Sequence, residues 1–126
     1  MKLNYEDFYI LYTEAAREPD RDKYISEWAT SSIFLPNFDL DVSDQKCMEV
    51  FAALKNIWDV AHMSFKNIRK RVGLTQDQIV KYFCIPRRTV ENWEKSHRNF
   101  APYHILMMAR ILHVLTVDIE PPKRHK

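Results

Sequence analysis

Arg87, Arg88 and Asn92 fall within one short stretch, RRTVENWEK, and carry the chemistry that reads base edges in duplex DNA. An arginine can hold guanine O6 and N7 with two N–H groups and an asparagine can pair with adenine N6 and N7, each contact worth about 1–3 kcal/mol of discrimination. Helical spacing puts Val90 and Trp93 on the buried side of the stretch. Arg87, Arg88, Glu91 and Asn92 then project elsewhere, on a helix that would lie in a major groove. Other reactive residue types do not converge. Cys47 and Cys84 are far apart with no second cysteine near either, which is neither a disulfide framework nor a zinc pattern. His62, His97, His104, His113 and His125 are scattered without ligand spacing. No nucleophile, base and orienting group form a catalytic motif. The expectation is therefore no enzyme, no metal and no cofactor.

Those side chains need a rigid frame, and the chain is punctuated to build one. SFKNIRKRVG reads as a helix with Phe65, Ile68 and Val72 inward and Lys66, Arg69, Lys70 and Arg71 along the rest. It ends at Gly73, the single glycine of the chain, where a C-cap favours positive φ. Thr75 and Gln78 have the spacing of a capping box, which predicts a helix starting at Gln76. The turn Cys84-Ile85-Pro86 separates it from RRTVENWEK, with Pro86 suited to the first helical position. Beyond Pro102, YHILMMARILHVL predicts a further helix that closes the bundle through Tyr103, Leu106, Met107, Arg110 and Ile111. Ile105, Met108, Leu112 and Leu115 make it apolar on more than one face, so either the N-terminal half or a second subunit covers the excess.

Residues 64–112 resemble the XRE-type (phage repressor-like) helix-turn-helix DNA-binding family, with LTQDQIVKYFCIPRRTVENWEKSHRNFAP as the matching core. Thr75-Gln76 opens the second helix, Ile79 and Phe83 alternate with polar residues, Thr89-Val90 sits inside the third helix, and Trp93-Glu94 closes it before a polar loop. Cys84 stands where the family commonly has glycine, and Pro86 where serine or threonine often caps the recognition helix. The resemblance implies a lambda-repressor-like domain in which Arg87, Arg88 and Asn92 face base edges. It also implies that Gln76, Thr89, Lys95, His97 and Arg98 hold the DNA backbone, the last three from the loop that follows the third helix. Glu94 would be repelled by phosphates, and the resemblance pairs it with Arg69 as a structural ion pair.

The remainder of the chain reads differently. Asn4 as N-cap and Pro19 as stop bound a helix with Tyr5, Phe8, Leu11, Tyr12, Ala15 and Ala16 on one face. A second helix begins at Asp20 or Asp22 and presents Tyr24, Ile25 and Trp28, followed by a loop or short extended segment with Pro36, Phe38, Leu40 and Val42. From Ser43 to about His62, Cys47, Val50, Phe51, Leu54, Ile57, Trp58 and Ala61 recur at the spacing of a long helix linking the two halves. The aromatics Tyr5, Phe8, Tyr9, Tyr12, Tyr24, Trp28, Phe34 and Phe38 suit core or protein-interface packing, because acidic surroundings repel phosphate.

The fold class expected is all-α: a helical bundle with a helix-turn-helix domain preceded by an α-helical N-terminal extension. At 126 residues there is no room for a large multidomain enzyme. One glycine, against a usual share of about 7%, excludes phosphate-cradling glycine loops. Residues 1–50 carry eleven acids against five Lys/Arg, a net of −6, and residues 51–126 carry six against fourteen, a net of +8. Such asymmetry points to a polyanion-binding portion joined to one with another task. The domains expected are an acidic, aromatic-rich helical region over 1–62 for dimerisation or partner binding, the DNA-binding domain over 63–118, and a basic flexible tail over 119–126. No apolar stretch has the length of a membrane span, and a cytoplasmic, reducing compartment is expected.

The function expected is a sequence-specific transcriptional regulator of double-stranded DNA, a bacterial or phage-type repressor acting as a homodimer. The alternative is an antitoxin or phage-encoded, anti-CRISPR-like inhibitor. It would bind a protein partner through residues 1–50 and control its own promoter with the helix-turn-helix.

Overall fold

The computed structural model describes residues 1–34, 44–95 and 102–124. Its contacts divide the chain into two units, Met1–Ala61 with Thr116–Lys126, and His62–Leu115. Both are built from helices, and a two-stranded sheet is the only β structure among the described residues.

In the first unit, β1 (Lys2–Asn4) leads into α1 (Tyr5–Arg17), followed by α2 (Arg21–Ala29), α3 (Asp44–Ala61) and β2 (Asp118–Glu120). Asn4 caps α1 by accepting the Asp7 N–H at 2.7 Å, and Asp20 caps α2 from its own side chain. These bonds satisfy first-turn donors that have no partner within the helix. Phe8, Leu11 and Ala15 of α1, Tyr24 and Ala29 of α2, and Val50, Ala53, Leu54, Ile57 and Val60 of α3 are buried. Long-range bonds tie the helices together: Tyr24 Oη donates to Leu11 O at 2.7 Å, Trp58 Nε1 donates to Glu18 O at 2.8 Å, and Arg21 Nη1 donates to Asp59 Oδ1 at 3.4 Å.

The aromatics of this unit divide. Phe8, Tyr24 and Phe34 are core residues, whereas Tyr5 and Tyr9 stay exposed. Phe51, expected on the inner face of α3, is exposed too, while Ala53 and Val60 are buried. The helix lies wholly in the first unit, ending at Ala61. Pro36, Phe38, Leu40, Val42 and Ser43 lie outside the described residues.

β1 and β2 pair in parallel, Leu3 opposite Ile119, with Leu3 and Val117 buried. Asn56, itself buried, accepts the Thr116 N–H at 2.9 Å where the chain re-enters this unit. The flexible tail expected from residue 119 is therefore corrected at its start: Ile119 and Glu120 are strand residues, and 116–118 belong to the first unit. Strand pairing across so large a sequence separation leaves no local pattern to read.

The second unit contains α4 (Phe65–Val72), α5 (Gln76–Phe83), α6 (Arg87–Lys95) and α7 (Pro102–Ile111). Phe65, Ile79, Val90 and Met108, one from each helix, form its core, with Leu74, Val80, Phe83, Ile85, Trp93, Ile105 and Leu112 packed around them. The face of α7 that closes the core is thus Ile105, Met108 and Ala109, with Leu112 just beyond the helix, and the expected closing residues Tyr103, Met107, Arg110 and Ile111 are exposed. A helix apolar on all sides has no sequence signal for its buried face. Here Phe65, Ile79 and Val90 decide it.

Candidate nucleic-acid interface

Local chemistry sets α5 and α6. Gly73 ends α4 in the left-handed region at φ 71°, and its N–H is satisfied by Arg69 O and Lys70 O. Thr75 accepts the Gln78 N–H at 3.1 Å while Gln78 Oε1 accepts the Thr75 N–H at 2.8 Å, a reciprocal capping box that starts α5. Ser64 and Asn67 make the same device at the start of α4. Cys84 ends α5 with φ 55°, a left-handed conformation that glycine adopts at no side-chain cost. The carbonyl of Pro86 then accepts the N–H groups of Thr89 and Val90, so Pro86 stands at the cap and α6 begins one residue later than the sequence suggests.

The faces of α6 follow from Val90, which is fully buried. At 100° per residue, Arg88, Asn92 and Lys95 lie about 140–200° around the helix from it, and all three are exposed. They form one outward row of two cations and an amide. Arg87 is exposed as well but sits only about 60° from Val90, on the flank that carries Glu94. Thr89 is half-buried. Lys95 is the last residue of α6 rather than part of the following loop, because the helix continues two residues past Trp93, its last apolar residue. His97 and Arg98 lie outside the described residues.

Arg69 and Glu94 come together across the unit: Arg69 Nε donates to Glu94 Oε1, and Arg69 Nη1 donates to Leu74 O at 2.9 Å. Gln76 Nε2 donates to the other Glu94 oxygen at 2.6 Å. One carboxylate thus joins α4, α5 and α6. The Gln76 amide, expected on a phosphate, has this internal partner, and its second N–H is the donor it can offer a ligand. Burial pushes the Glu94 carboxyl up. The bonds from Arg69 and Gln76 and the charges of Arg69 and Lys66 outweigh that and hold it below the usual carboxylate range.

A second carboxylate, which the sequence reading did not single out, meets the first residue of α6. Asp77 accepts from Arg87 Nη2 through Oδ1 and meets Lys81 Nζ at 3.0 Å through Oδ2. Its carboxyl is held below the usual range, first by the Lys81 hydrogen bond and charge and then by Arg87. The Asp77–Lys81 spacing is legible on a helix, but the contact to Arg87 depends on the angle at which α6 leaves the turn.

The unit His62–Leu115 carries ten Lys/Arg against three acids, a net of +7. Two of those acids, Asp77 and Glu94, are paired with cations, so the charge that remains for a ligand is cationic. Among the described residues, no group of three His, Cys, Asp or Glu side chains could hold a metal ion, and no helix is long and apolar enough to cross a membrane. Comparison with protein-family models, with curated proteins and with solved structures returns no match.

Proposed function

We propose that this protein is a sequence-specific binder of double-stranded DNA, a transcriptional repressor of the XRE type that works in the cytoplasm without catalysis or cofactor. The observation that carries the reading is the exposed row Arg88, Asn92 and Lys95 on the face of α6 opposite the buried Val90. A helix anchored on one side and cationic on the other can enter a major groove without unpacking its own unit. In this reading Arg87, Arg88 and Asn92 read base edges, while Gln76, Thr89, Lys95, His97 and Arg98 hold phosphates. One such module reads few base pairs, so two copies on half-sites about 34 Å apart are expected. The exposed ridge Tyr103, Met107 and Ile111 on α7 supports a homodimer.

The test is selection of bound sequences from random duplexes with the full chain. Arg88→Ala and Asn92→Ala should each relax preference at one or two positions by about 1–3 kcal/mol. Lys95→Ala should weaken all sequences alike and lower the salt slope by about one. No selected motif, or equal losses at every position for all three variants, overturns the reading.

A second reading is favoured by one observation. Tyr5, Tyr9 and Ile10 form an exposed apolar patch on α1, in the acidic unit, and such patches mark protein interfaces. An antitoxin or inhibitor would use it to hold a basic protein partner. A stable complex lost on Tyr9→Asp, together with weak DNA selection, would favour that class.

A further inference from the structure

Asp77 is the second residue of α5 and Arg87 the first of α6, and the tight turn brings them into contact. The Arg87, Asp77 and Lys81 side chains remain 52%, 47% and 78% exposed. Ion pairs this wet add little to folding stability, so what the cluster changes is where the Arg87 guanidinium sits. That matters because Arg87 lies about 100° around α6 from the row containing Arg88 and Asn92. Unguided, its long side chain samples many rotamers away from the surface that row defines.

We propose that Asp77 is a specificity-determining positioning residue: its Oδ1 holds the Arg87 guanidinium in place for a two-pronged contact to guanine O6 and N7 at the first base α6 reads. The proposal rests on the DNA-binding reading above. A guanidinium has five N–H donors in one plane; one on Asp77 leaves four, enough for the guanine edge. Lys81 completes the arrangement by holding the second carboxylate oxygen and offsetting a charge that phosphates would repel. Recognition helices place their N-terminal residues against base edges, and Arg87 begins this one.

The experiment is the same duplex selection with the full chain. Arg87→Ala first identifies the position, by flattening preference there. Asp77→Ala should then lower guanine preference at that position alone by about five- to 140-fold, the span of a two-pronged contact. It should also strengthen binding to a scrambled duplex, because a carboxylate near phosphates is gone. Asp77→Asn, which keeps one acceptor oxygen, should fall between Asp77→Ala and the unaltered chain, and Asp77→Ala should have no further effect at that position once Arg87 is alanine. An unchanged guanine preference in Asp77→Ala, or an equal loss at every position, overturns the inference and leaves the DNA-binding reading standing. A full chain that selects no motif overturns both.

Discussion

Glu94→Gln is the perturbation that most directly tests how the second unit, His62–Leu115, is held. The carboxylate accepts Arg69 Nε on one oxygen and Gln76 Nε2 on the other, and the Arg69 and Glu94 side chains are only 18% and 13% exposed. A glutamine keeps one acceptor oxygen but sets an NH₂ group against a donor. One charge-assisted bond is lost outright and the other is weakened, at about 1.5–3 kcal/mol per hydrogen bond to a charged group. We expect a loss of about 2–3 kcal/mol, or about 10–20 °C in the melting of a unit this small. Urea unfolding of the full chain, with hydrogen exchange of the α4, α5 and α6 amides, assigns the loss to this unit. Arg69→Met should cost at least as much, and the double variant less than the two together, since neither leaves the other's charge stranded. Acid gives a second readout. The folded carboxyl lies below its usual range, so its contribution is present above an unfolded value of about 4.3 and is lost as pH falls. Glu94→Gln should abolish that part of the acid dependence. A change under about 0.5 kcal/mol, the size of ordinary surface substitutions, combined with tighter DNA binding, would refute the reasoning and make Glu94 an interface residue.

Other outcomes follow from single sites. Gly73→Ala places a Cβ in open space at φ 71°, so its cost is backbone strain alone, about 1–2 kcal/mol by urea unfolding. Cys84→Gly, at φ 55°, relieves the same strain and should raise stability by less than about 1 kcal/mol, since glycine also frees the unfolded chain. In the first unit, Tyr24→Phe removes the buried bond to Leu11 O and should cost about 1 kcal/mol. Burial, then Glu14, pushes the Tyr24 phenol above its ordinary value. Its stability contribution should therefore be lost as pH rises beyond about 10, and that alkaline loss should vanish in Tyr24→Phe.

The ends of most helices were legible in the sequence because capping is a local event. Asn4 reaches Asp7, Thr75 reaches Gln78 and Gly73 closes α4 through bonds spanning three or four residues, so residue type and spacing suffice. The inward positions Phe65, Ile68, Ile79 and Val90 were legible for a related reason: a helix with one apolar stripe can bury only that stripe. The same rule loses its force on α7, where apolar residues surround the helix.

What the sequence determined by itself was thus the helical punctuation, the polarised charge and the outward placing of Arg88 and Asn92 on α6, all properties of neighbours along the chain. Tertiary structure alone decided which side of α7 is buried, the pairing of β1 with β2, and the meeting of Gln76 with Glu94 and of Asp77 with Arg87. Each of these depends on how separate helices and strands are oriented in space, and a one-dimensional pattern does not encode that orientation until the core has packed.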